Sequence, residues 1–141
     1  MATAALKSSD MEISSFVEDL TRVQKALADS LRLQILRLLK NESFGVLELC
    51  RILDIRQSAL SHHLKVLSTA RLVSTRREGN SIFYRRAFLA DEDKFRDIKR
   101  STFDVVDNFP VPDKQAQKIK QIQLERAELS LSFFNRNSDK F

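Results

Sequence analysis

Apolar residues recur at helical spacing along most of the chain. Ile13, Phe16, Val17, Leu20, Val23 and Leu27 mark one side of a helix over about residues 12–28. Leu31, Ile35, Leu38 and Leu39 mark a second over 31–39, with Asp29 placed to cap it, and Asn41-Glu42-Ser43 breaks the pattern. Val46, Leu49, Ile52 and Leu53 predict a third helix over about 45–53, Asp54-Ile55-Arg56 a short turn, and Gln57 to Thr69 a fourth helix. The period then changes. Leu72-Val73-Ser74-Thr75-Arg76 and Ser81-Ile82-Phe83-Tyr84-Arg85 are rich in β-branched and aromatic residues, and they flank Glu78-Gly79-Asn80, where Gly and Asn tolerate the positive φ of a hairpin turn. Phe95, Ile98, Thr102, Val105 and Phe109 predict a fifth helix that stops before Pro110 and Pro112, and a sixth runs from Lys114 to about Phe134. Residues 1–10, small and polar, read as a flexible tail, 11–109 as one domain, and 113–141 as a C-terminal helix that stabilises a dimer or serves as a linker.

A short helix, a tight turn, a longer helix and then a hairpin is the order of a winged helix-turn-helix. The expected fold is therefore mostly α with a two-stranded β-wing. In that arrangement the second helix of the pair lies in the DNA major groove and the hairpin touches the strands beside it. At 100° per residue, Leu60, His63, Leu64 and Leu67 cluster on one side of the fourth helix, and Ser58, Ser61, His62 and Lys65 on the other. Gln57 stands at its N-terminal end and can address an adenine edge with two hydrogen bonds. The serines and His62 suit phosphate or base, and Lys65 suits phosphate. His63, turned towards the leucines, reads as a packed, hydrogen-bonded core residue.

Charge strengthens this reading once it is located. The chain carries +5, but residues 51–86 hold Arg51, Arg56, Lys65, Arg71, Arg76, Arg77, Arg85 and Arg86 against Asp54 and Glu78, so that quarter is +6 and the remainder −1. A positive field confined to one segment favours phosphate binding, because neutralising phosphates releases counterions. Ribbon side chains alternate in direction, so only some wing arginines reach DNA. Arg77 and the tip, Gly79 and Asn80, are favoured, while an arginine elsewhere in the ribbon holds the wing to its own domain. The candidate contact set is Arg56, Gln57, Ser58, Ser61, His62, Lys65, Arg76, Arg77, Gly79 and Asn80.

Leu27-Ala-Asp-Ser-Leu-Arg-Leu-Gln-Ile-Leu-Arg-Leu-Leu39, Gln57-Ser-Ala-Leu-Ser-His-His-Leu-Lys-Val-Leu67 and Arg77-Glu-Gly-Asn-Ser-Ile-Phe-Tyr84 resemble the ArsR/SmtB family of bacterial repressors over about residues 20–86. The resemblance implies a homodimer joined by the first and fifth helices, with Phe16, Leu20, Phe95, Ile98, Thr102, Val105 and Phe109 at the interface. It also implies an inverted-repeat operator vacated on sensing a small-molecule inducer. Asn41-Glu-Ser-Phe-Gly-Val-Leu-Glu-Leu49 and Arg126-Ala-Glu-Leu-Ser-Leu-Ser-Phe-Phe134 resemble the branch in which this unit precedes a methyltransferase domain, which makes S-adenosylhomocysteine one expected signal.

Sensor chemistry is sparse. The family's Cys-x-Cys positions match Gly45 and Leu47, and Cys50 reads as a small buried apolar residue. Asp91, Asp93, Asp104 and Asp107 reproduce the spacing of the family's zinc site without a histidine, and read as a solvated acidic face. No metal site, cofactor or catalytic constellation is expected. No apolar run approaches the ~18 residues of a membrane span, the N-terminus shows no signal-peptide pattern, and a cytoplasmic address follows. A competing reading makes the chain a protein-interaction module, on the strength of Phe133, Phe134 and Phe141 near the C-terminus.

Overall fold

The computed structural model describes the backbone of residues 2–138 and the side chains of residues 8–137. Its elements follow in the order α1 (Ala2–Leu27), α2 (Ser30–Leu38), β1 (Phe44–Gly45), α3 (Val46–Leu53), α4 (Gln57–Thr69), β2 (Val73–Glu78), β3 (Ser81–Arg86), α5 (Arg96–Asp107) and α6 (Asp113–Ser138). Phe141 lies outside the described residues.

Helix α1 begins ten residues before the apolar pattern predicts. Residues 2–10 contain neither Gly nor Pro and are rich in Ala, so nothing in the supposed tail stops the helix. Asp29 caps α2, its carboxylate accepting the Arg32 backbone N–H at 3.0 Å. The sheet has the order β1-β3-β2, one strand more than expected. Strand β1 is two residues long, too short to show an alternation, and it exists through pairing: Phe44 faces Tyr84 and Gly45 faces Phe83. Gly45 also opens α3, where the Glu48 carboxylate accepts its N–H at 2.9 Å.

The core is built where these elements meet. Leu49 and Ile52 of α3, Leu60, Leu64 and Leu67 of α4, Ile35 and Leu36 of α2 and Leu72 before the wing are all at most 1% exposed. Burial of each such side chain contributes roughly 1.5–3 kcal/mol. Helix α4 ends in a Schellman motif: Leu72 N–H donates to Leu67 O at 2.9 Å and Arg71 N–H to Ser68 O at 3.0 Å, with Arg71 in the left-handed region at φ 56°. This directs the chain into β2. From α6, Ile122 reaches the same core at 1% exposure with Ile119 packed beside it, whereas Leu129, Leu131, Phe133 and Phe134 further along the helix are exposed.

Two ion pairs correct the expected solvated acidic face. Asp93 pairs with Lys99, itself 2% exposed, at 2.6 Å, and Asp107 pairs with Arg86; Asp104 stays exposed, and Asp91 lies 3.6 Å from Arg96. Burial pushes Asp93 up, but hydrogen bonds from Lys99 Nζ and the Phe95 N–H outweigh it and hold its carboxyl below the usual range.

Candidate nucleic-acid interface

The turn between α3 and α4 depends on Asp54, which takes φ 54°, a left-handed conformation that Asp tolerates better than most residues. Ile55 N–H then closes onto Cys50 O at 3.2 Å. Burial of Leu60, Leu64 and Leu67 fixes the rotation of α4. Its opposite face is therefore turned to solvent: Gln57, Ser58, Ser61, His62 and Lys65 are all exposed, as is Arg56 at the N-cap. This strip offers amide, hydroxyl, imidazole and ammonium groups with no apolar side chain among them.

His63 is half-buried on the core side, and its partner is an arginine. Arg32 Nη1 donates to His63 Nδ1 at 3.0 Å. Arginine has no acceptor, so Nδ1 is the accepting nitrogen in this contact. The same guanidinium donates to Ala26 O at 2.7 Å and Lys25 O at 2.9 Å. Arg32 thus ties the end of α1 to α4 through the start of α2. Sequence reasoning foresaw a hydrogen-bonded His63 but not its partner, which lies 31 residues away.

The wing turns at Gly79-Asn80, where Gly79 alone has a positive φ of 59°, as in a II′ turn. Arg76, Arg77, Gly79 and Asn80 are all exposed. The ribbon separates the two arginines. Arg76 lies opposite Phe83 and pairs with Glu78 at 2.6 Å, whereas Arg77 lies opposite Ile82 on the other face. Arg85 donates to Ser74 Oγ at 3.3 Å. The arginine that holds the wing to its own domain is Arg86, whose Nε donates to Leu36 O at 2.8 Å and whose guanidinium lies 4.7 Å from the Phe103 ring centroid.

The proposed dimer residues divide by exposure. Phe16, Val105 and Phe109 are 43%, 58% and 58% exposed. Leu20, Phe95, Ile98 and Thr102 are half-buried; the Phe95 ring stands 5.4 Å from Phe16 of its own chain, and the Thr102 hydroxyl donates to Ile98 O. Cys50 is half-buried, and burial pushes its thiol up, which disfavours the thiolate.

Residues 29–75, which span α2 through the start of the wing, match the family model described as "Bacterial regulatory protein, arsR family". The solved structure of HlyU from Vibrio cholerae is 31% identical with a TM-score of 0.51, and the match covers 63% of this chain and 92% of that one. This chain belongs to the ArsR family. In sequence it is 47% identical over 60 residues to the transcriptional activator HlyU of Vibrio cholerae, covering 43% of this chain and 56% of that protein. It is 49% identical over 63 residues to the biofilm growth-associated repressor of Agrobacterium fabrum, covering 45% and 54%. The alignments thus span about half the length of these curated relatives. The homodimeric winged helix-turn-helix DNA-binding domain of Mb0332 from Mycobacterium bovis gives a TM-score of 0.55 at 30% identity, covering 66% of this ArsR-family chain and 79% of that domain. Among the described residues no helix is long and apolar enough to cross a membrane, and no His, Cys, Asp or Glu group of three or more is arranged to hold a metal.

Proposed function

We propose that this ArsR-family protein is a cytoplasmic, non-catalytic transcriptional regulator, a repressor that occupies an inverted repeat as a homodimer and leaves it on sensing an inducer. The observation that supports it best is the division of α4, with its leucines in the core and a continuous polar face open to solvent, next to an exposed basic wing. Gln57, Ser58, Ser61 and His62 read base edges and phosphates, Arg56 and Lys65 meet phosphate, and Arg77 with the Gly79-Asn80 tip follows the adjacent backbone, with Arg76 beside them. Phe16, Val105 and Phe109 supply apolar surface for a second copy, and Leu20, Phe95, Ile98 and Thr102 back it.

The test is a gel shift with DNA from the protein's own promoter region. The expected result is salt-sensitive, site-selective retardation, lost in the triple variant Gln57→Ala/His62→Ala/Arg77→Ala. Retardation unchanged in that variant overturns the assigned face. An absence of retardation even at low salt favours the interaction-module reading, for which the exposed Leu129, Leu131, Phe133 and Phe134 of α6 would be the contact.

A further inference from the structure

Arg126 of α6 touches three parts of the DNA-binding unit at once. It leaves α6 one turn after Ile122, whose burial fixes that stretch of helix over the core. Its Nη2 donates to Glu48 Oε1 at 2.5 Å and to Ser43 O at 3.1 Å, and its Nε donates to Glu48 Oε2 at 3.2 Å. Its guanidinium carbon lies 5.4 Å from the Phe44 ring centroid and 5.8 Å from that of Phe83. Glu48 sits in the first turn of α3 and holds the Gly45 N–H; Phe44 belongs to β1; Phe83 lies in the middle of β3, opposite Arg76 of the wing. Beside it Arg51 and Glu125 pair at 2.9 and 3.0 Å with the charges reversed between the two helices. Both pairs hold α6 against α3.

We infer that Arg126 is a positioning residue for DNA binding, which sets the angle of the wing to α3 and α4 from a helix outside the helix-turn-helix. The wing needs such a support. A two-stranded ribbon is marginal alone, and β1 braces it over only two residues. Phe83 and Arg86 lie three residues apart on β3 and so point to opposite faces, which means Arg86 clamps the root of the ribbon from one face and Arg126 braces its middle from the other, against a tilt about that root. A six-residue strand is about 20 Å long, so a tilt of ~10° at the root moves the tip by about 3 Å. That displacement equals a whole hydrogen-bond length, enough to take Arg77 and the tip off a phosphate.

The inference rests on the DNA-binding reading, and the experiment separates the two. Affinity of the full chain for its own promoter fragment and for a scrambled duplex is measured against salt for wild type, Arg126→Ala, Arg126→Lys and Glu48→Gln. Glu125→Gln serves as control, because it breaks an α3–α6 pair that does not touch the wing. The amide resonances of β3 are recorded in the free proteins. For Arg126→Ala the expected results are about tenfold weaker binding to both duplexes, a log–log salt slope shallower by about one, an unchanged ratio between the duplexes, and displaced β3 amides. Arg126→Lys and Glu48→Gln fall between it and wild type, and they carry the comparison if Arg126→Ala does not fold. The inference is overturned if wild type binds and the Arg126 variants change the slope no more than Glu125→Gln does, or lose the ratio along with it. A wild type that shows no salt-sensitive binding takes the DNA-binding reading down first.

Discussion

Arg86 Nη1 donates to Asp107 Oδ2 at 2.9 Å and Nη2 to Oδ1 at 2.5 Å, a two-bond grip between the last residue of the wing and the last residue of α5. Both side chains are largely buried, at 14% and 17% exposed, and Arg86 Nε also holds Leu36 O of α2. A helix that supplies candidate dimer residues is thereby joined to the wing through one planar cation, the geometry that suits arginine and not lysine.

Breaking this grip leaves a largely buried charge without its ion-pair partner. Asp107→Asn or Arg86→Ala is expected to destabilise the fold by about 3 kcal/mol in urea unfolding. Arg86→Lys should recover only a minor part of the loss, because a single ammonium cannot span both oxygens and Leu36 O. An effect below ~1 kcal/mol for Asp107→Asn would place the pair with ordinary surface bridges.

Acid should weaken the protein in a defined window. The hydrogen bonds from Arg86 hold the Asp107 carboxyl below its usual range against the opposing effect of burial. Asp29 is lowered mainly by the Arg32 N–H it accepts, and Asp93 is lowered as well. Carboxyls lowered in the folded state contribute stability that is complete above their unfolded values, about 3.9, and is lost as pH falls through the folded values. Thermal midpoints should thus be insensitive to these groups from pH 7 to about 5 and fall below about 4, and Asp107→Asn should flatten part of that decline.

In the proposed complex Glu78 competes with DNA for Arg76. Both side chains of the pair are more than half exposed, so the contact is weak and its loss should leave stability within ~0.5 kcal/mol. Glu78→Gln removes a negative charge from the wing and frees a guanidinium. The expected outcome is tighter binding to specific and scrambled duplexes alike, with a salt slope steeper by about one. A change confined to one base position would instead make Glu78 a reader of sequence.

The apolar strip on α1 and α5 predicts the state of association. Val105→Asp or Phe109→Glu, at exposed positions, should leave the monomer folded by circular dichroism and shift the sedimentation coefficient from dimer to monomer. Sedimentation unchanged in both variants would move the interface elsewhere, with the exposed distal part of α6 the next surface to test.

What could be read from the chain alone was whatever repeats locally. The 13 residues of α4 agree with the predicted span because Leu60, Leu64 and Leu67 declare both a helix and its buried side, and the wing declares itself by two β-branched and aromatic runs flanking Gly79. The exposed polar strip followed from the same arithmetic, since a helix with one face in the core must turn the other outward. Tertiary structure alone decided the pairings. Leu36 and Arg86 are 50 residues apart, Glu48 and Arg126 are 78 apart, and Lys99 becomes a core residue only because Asp93 meets it there. Strand β1 and the division of labour among Arg76, Arg77 and Arg86 belong to the same class. A charged side chain carries no period that names its partner; its role is set by which opposite charge or carbonyl the folded chain brings within ~3 Å to offset the cost of leaving water.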